Sequence, residues 1–135
     1  ENREIRGVLD IGGDPVGARV LARFQPKIVR EDYQLIYVLN ANRPEVREPE
    51  SAVAYLRGIE AVTGLTCGGI INNTHLCGET TPEEIRKGAR LVGIVSEQTG
   101  IPVLCHVAEN RFAGELSDLS GPVFPITIKM KKPWE

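Results

Sequence analysis

Apolar, strand-like runs alternate with helix-patterned segments along the whole chain, and no other sequence feature constrains the fold as tightly. Residues 34–39 (QLIYVL) are almost uniformly apolar, as a strand covered on both faces should be. Residues 67–72 (CGGIIN) and 101–107 (IPVLCHV) read as further strands. Between them Val53, Leu56, Ile59 and Val62 keep helical spacing, which predicts a helix over 49–62. A second helix opens at the capping box Thr81-Pro-Glu-Glu84, continues through Ile85, Leu91, Val92 and Val95, and stops at Gly100. Strand–helix–strand units of this length pair in parallel through right-handed crossovers. The expected fold class is therefore α/β, a three-layer α/β/α arrangement around a mostly parallel sheet.

The two ends extend the pattern. Residues 5–9 predict an opening strand that ends in the turn Asp10-Ile-Gly-Gly-Asp14. Asp14 then caps a helix with Pro15 at its first position, Val16, Val20 and Leu21 on one face, and Pro26 at its end. A shorter helix over 111–119 and a last strand over 124–130 complete the series. No domain boundary, internal repeat or low-complexity stretch interrupts the 135 residues, so a single domain over 1–135 is expected.

Charge and composition exclude several function classes. Sixteen Lys and Arg against 18 Asp and Glu give a formal charge of −2, with the signs interspersed. A nucleic-acid partner would need a basic face, and none is present in that pattern. No apolar stretch approaches the roughly 18 residues that cross a bilayer, so no membrane span is expected. Three cysteines, Cys67, Cys77 and Cys105, are too few and too odd in number for a disulfide framework, which points to a reducing cytoplasm. The chain begins at Glu1 with an apolar run almost at once. It reads as a piece of a longer polypeptide.

In a parallel sheet, ligands bind beyond the carboxyl ends of the strands. Those ends carry small, polar or glycine-rich residues here: Asp10 to Asp14, Asn40 to Arg43, Asn72 to His75 and His106 to Asn110. Asp10-Ile-Gly-Gly13 fits D-x-x-G at a strand tip. In P-loop NTPases a carboxylate there holds Mg²⁺ and a glycine amide reaches the terminal phosphate. Gly12 to Gly17 has the G-x-x-x-x-G spacing of a phosphate loop, but Ala18 and Arg19 stand where it needs Lys and Ser or Thr. Asp14 would also place a negative charge in an anion cradle. The chain therefore has no Walker A motif, and the dinucleotide G-x-G-x-x-G is absent too.

Asn72 and Asn73 bring a carboxamide, donor and acceptor together, to the tip of the third expected strand, where it can pair with a purine edge. A guanine reader wants N-K-x-D; Asn72-Asn-Thr-His75 lacks that Asp, so adenine is the better match. His75, Cys77, Cys105 and His106 cluster near strand ends, but their spacings match no standard zinc pair. Cys105 and His106 are adjacent on a strand and point to opposite faces, which speaks against a Cys–His nucleophile.

Taken in order, VLDIGGDP, LIYVLNANRPE, GGIINNTHL and GIPVLCHVAEN resemble the second half of the CobQ/CobB/MinD/ParA-type nucleotide-binding domains, the deviant-Walker-A P-loop ATPases. The resemblance covers residues 7–110. It implies ATP and Mg²⁺ as ligands, with Asp10 in the catalytic magnesium role, Gly13 at the γ-phosphate and Gly12 among the nucleotide-binding residues. Asn72 or Asn73 would contact adenine, and the backbone of Val107, Ala108 and Glu109 would border the base. Members commonly work as nucleotide-dependent homodimers that switch a protein partner. The signature lysine loop precedes this point in that family and is not in this chain, so no turnover is expected from these residues alone. Two other classes remain as alternatives: a non-catalytic interaction module, and a metal- or redox-responsive domain built on the Cys and His residues.

Overall fold

Four strands, β1 (Leu35–Leu39), β2 (Cys67–Asn72), β3 (Val103–Glu109) and β4 (Val123–Ile126), form one sheet in the order β1-β2-β3-β4 in the computed structural model, which describes residues 6–129. Every neighbouring pair is parallel. The helices are α1 (Pro15–Ala18), α2 (Gln25–Ile28), α3 (Pro49–Thr63) and α4 (Pro82–Thr99), with 3-10 turns between several elements. The fold is α/β with an all-parallel sheet and helices, compatible with a three-layer α/β/α fold.

Local chemistry sets the long helices where the sequence places them. Thr81 caps α4 by accepting the Glu84 N–H, and Pro82 occupies a first-turn position where no amide is missed. Gly100 ends α4 at φ 73°, a left-handed conformation that favours glycine. Sequential parallel strands joined by right-handed crossovers put α3 and α4 on the same face of the sheet. There Ala52, Leu56, Leu91, Val92 and Val95 bury Tyr37, Leu39, Cys67 and Ile70. Alternate residues of β1, Ile36 and Val38, stay exposed at 36% and 53%. Pro125 is tolerated in β4 because that strand is an edge. No helix among the described residues is long and apolar enough to cross a membrane.

The structure corrects the reading of the ends. Residues 6–9 form no strand, and Val8 and Leu9 are 95% and 69% exposed; Ile5 lies outside the described residues. A strand needs an edge to pair with and a layer to cover it, and this segment lies off the sheet. The helix expected from Pro15 to Pro26 breaks into α1, a 3-10 turn over Arg19–Arg23, and α2. Its periodicity is lost with the change of helix type, so Leu21 is buried while Val16 and Val20 are exposed. Pro26 opens α2 rather than ending a helix, since its missing N–H costs nothing in a first turn. The helix expected over 111–119 is a 3-10 helix, Asn110–Glu115, with no side-chain cap. Strand β4 is shorter than the expected 124–130, and Met130 lies outside the described residues.

One close approach fixes α4 on the carboxyl end of β2. A Cβ at Gly88 would overlap Asn72 Oδ1 and Thr74 Oγ1. Gly→Ala inside an exposed helix gains up to about 1 kcal/mol, whereas forcing atoms into a packed site costs about 1–3 kcal/mol. Gly88→Ala is therefore expected to lower the denaturant midpoint in equilibrium unfolding. A raised midpoint would show that α4 does not sit on β2 in this way.

Candidate functional site: a cleft at the carboxyl end of the sheet

Strands β1 and β2 end side by side, with Leu39 paired to Asn72, so the loops that follow them meet. Asn40 ties them together. Its Oδ1 accepts the N–H groups of Asn42 (3.0 Å) and His75 (3.4 Å), and its Nδ2 donates to the His75 carbonyl (3.3 Å). Lys87 on α4 donates to Asn42 Oδ1 at 2.7 Å. Beside this junction lies a cleft of about 600 Å³. Its polar lining includes Asp14, Asn40, Arg43, Glu45, Asn73 and His75 with the backbone of Gly13, and its apolar lining includes Ile11, Val16, Val38 and Val46.

The cleft brings together some of the expected site residues and separates others. Gly13 and Asn73 both line it. A Cβ on Gly13 would meet nothing within 4 Å, so its backbone is open to a ligand. Gly12 does a different job: a Cβ there would stand 3.1 Å from the Cα of Gly17, so the turn packs backbone on backbone. Asp14 does not sit free in the cleft, because its carboxylate accepts the Gly17 N–H at 2.8 Å as the cap of α1. Asp10 is exposed in the segment leading to Ile11 and does not line the cleft.

Asn72 faces inward and is fully buried. Its Nδ2 donates to the Ile85 carbonyl (3.0 Å) and lies 3.1 Å from His106 Nδ1, while its Oδ1 accepts the Thr74 N–H (3.1 Å). The other ring nitrogen of His106 is 3.1 Å from the Ser120 carbonyl. A carbonyl only accepts, so Nε2 carries the proton and Nδ1 receives the Asn72 amide. Thr74 extends the knot by accepting the Ala41 N–H at 3.0 Å. Nothing of the Asn72 carboxamide is left for a ligand.

Val107, Ala108 and Glu109 lie on β3, with β2 between them and β1, and none lines the cleft. Ala108 is buried with Ile85 and Leu116, and the Glu109 carboxylate is held by Arg111 at 3.0 Å. The cysteines are likewise dispersed. Burial pushes the Cys67 and Cys105 thiols up, while Cys77 is exposed with its sulfur 3.9 Å from His75 Nδ1. Among the described residues no three His, Cys, Asp or Glu side chains gather as a metal site.

Two tyrosines that the sequence reading passed over line the cleft, Tyr37 on β1 and Tyr55 on α3. Tyr37 is 7% exposed and its hydroxyl has no hydrogen-bond partner among the described residues. Burial holds its pKa well above the usual phenol range, with Tyr55 and Cys67 adding to the effect. A Tyr in an otherwise aliphatic strand was the only signal available.

The opposite orientations of Asn72 and Asn73 separate structure from binding. Asn72→Ala leaves buried groups unpaired, which costs about 1–3 kcal/mol for each; a lower thermal midpoint is expected, and Asn73→Ala should leave it within about 0.5 kcal/mol. Equal midpoints for the two variants would refute the inward placement. Thiol mapping with a maleimide at neutral pH should modify Cys77 before Cys67 and Cys105, because only Cys77 is exposed. Prior labelling of Cys67 would contradict its burial.

No family model, curated protein or solved structure matches the chain, so its function is read from the cleft itself.

Proposed function

We propose that this chain is the ATP-binding portion of a MinD/ParA-like ATPase, working with a lysine-bearing phosphate loop supplied from elsewhere. One observation carries the reading: Gly13, from the D-x-x-G turn, and Asn73, from the tip of β2, line the same cleft at the carboxyl end of the parallel sheet. Ligands of open α/β sheets bind at such ends. The residues present suit a nucleotide. The Gly13 backbone is open to a phosphate oxygen, and Arg43 adds a cation to the lining. Asn73 takes the adenine role in place of Asn72, whose amide is engaged inside the fold.

Asp10 is exposed and supplies a hard oxygen donor of the kind Mg²⁺ takes, directly or through water. When bound, Mg²⁺ neutralises phosphate charge and orients the terminal phosphoryl group for attack by water. Gly13 donates its N–H to that group, and Asn73 orients the base by donating and accepting at its edge. A lysine is still required to offset the charge that develops on the transferred group. Nucleotide-dependent pairing of two copies, and a protein partner that reads the bound state, belong to the same proposal. A non-catalytic interaction module has one observation in its favour, the apolar residues left uncovered on β1.

The 135 residues alone are expected to show no ATP turnover and to bind Mg·ATP too weakly for calorimetry at micromolar concentrations. With the lysine loop supplied, Asp10→Ala should reduce hydrolysis by about 100-fold or more. Asn73→Ala should weaken ATP more than it weakens inorganic triphosphate. Undiminished turnover in Asp10→Ala would remove the metal role, and micromolar ATP affinity of these residues alone would remove the need for a second segment.

A further inference from the structure

The two signs of charge, mixed over most of the chain, separate in one stretch. Residues 15–30, PVGARVLARFQPKIVR, carry four cations and no acid. Asp14, the cap of α1, precedes them, and Glu31 and Asp32 follow. The stretch is the broken helical segment made of α1, the 3-10 turn Arg19–Arg23 and α2. Ala18 and Leu21 are buried and Gln25 and Ile28 half-buried, a spacing of three and four that turns one side of the segment toward the fold. Gln25 anchors that side by donating to the Gly64 carbonyl at the end of α3 (3.3 Å).

The other side faces away. Arg19, Arg23, Lys27 and Arg30 recur at intervals of three and four, and all are exposed. Among the described residues no ion pair engages any of them. The arginines of α3 and α4 differ in this, since each meets a carboxylate: Arg57 with Glu60, Arg86 with Asp118 and Arg90 with Glu83. Val16, Val20 and Phe24 lie among the four cations, 76%, 49% and 52% exposed. Single exposed apolar residues are ordinary on a protein surface; three in a row at intervals of four, with cations between them, make a patch.

We propose that the outward side of residues 15–30 is a docking surface for an anionic lipid bilayer, on which the segment lies flat without crossing. Charge complementarity sets the sign of the partner, and the apolar side chains set its kind. A polyanion in water pairs with the four cations but leaves Val16, Val20 and Phe24 in water. A bilayer surface takes both. Its anionic headgroups receive the Arg and Lys side chains, and Val and Phe enter the boundary between headgroups and acyl chains. The inference uses only the charge and exposure of this segment, and stands whether or not a nucleotide binds in the cleft.

The test is cosedimentation of the 135-residue chain with vesicles of phosphatidylcholine, with and without phosphatidylserine. Binding to the phosphatidylserine vesicles should be tighter by about tenfold or more, and added salt should weaken it. Arg23→Gln combined with Lys27→Gln removes two cations, each worth about fivefold near an anionic leaflet, so the double variant should bind about 25-fold more weakly. Phe24→Ser should weaken binding about tenfold even at low salt, which a purely ionic contact would not do. All three positions are exposed, so both variants should keep the parent circular dichroism spectrum. The proposal is overturned by equal binding to the two kinds of vesicle, by no binding to either, or by undiminished binding of either variant. Tighter binding to poly-glutamate or duplex DNA than to phosphatidylserine vesicles also overturns it, and would make the partner an acidic segment of the same or another polypeptide, or a nucleic acid.

Discussion

The carboxamide of Asn72 holds the working end of this sheet together. It sits at the last position of β2, between α4 and β3, and each of its polar atoms is engaged: the Ile85 carbonyl and the His106 ring on one side, the Thr74 N–H on the other. Such a knot is stable only when every member is satisfied, because a lone buried amide is costly in a low-dielectric interior. Gly88 makes room for it, and Thr74 carries it on to Ala41 in the loop after β1. The path of the chain after β1 and β2 is thereby fixed, and with it the position of Asn73 and His75. The cleft depends on a group that never touches it.

The middle of the chain was legible because several signals agreed there. For α4 the Thr81 cap, Pro82, the apolar spacing and the Gly100 stop all point to one helix, and the helix runs from Pro82 to Thr99. For the strands, the length of the strand–helix–strand units implied parallel pairing, and the pairing is parallel throughout, although the cover on both faces read from QLIYVL fails at the exposed Ile36 and Val38. The opening segment carried only one signal, apolarity in Val8 and Leu9, and apolarity without an edge to pair with does not make a strand. Residues 15–28 failed for the opposite reason: two prolines each licensed a helix start, and the segment took both.

The site was legible in outline and not in detail, and register explains the difference. Whether Asn72 or Asn73 faces outward depends on one residue of strand parity, and β2 carries irregularities against both of its neighbours, at Leu35/Ile36 and at Ile70/Ile71. Nothing in CGGIIN states where an irregularity falls. Tyr37 and Tyr55 meet only because α3 folds back over β1; their separation in sequence follows no motif. The family resemblance put the backbone of Val107 to Glu109 at the border of the base. With the order β1-β2-β3-β4, however, they lie a full strand away from the β1 side.

The charge of the cleft lining bears on what the mouth can hold unaided. Its ionised side chains are Arg43 against Asp14 and Glu45, one cation facing two carboxylates. Asp14 is partly offset by the Gly17 amide that it accepts, but it remains an anion. A like-charge pair at 4 Å costs about 4 kcal/mol at the effective dielectric of a protein surface, so each phosphate brought close adds repulsion that Arg43 alone does not cancel. Under the nucleotide reading, the balance must come from a metal ion, for which Asp10 offers an exposed carboxylate outside the cleft lining, and from a further cation.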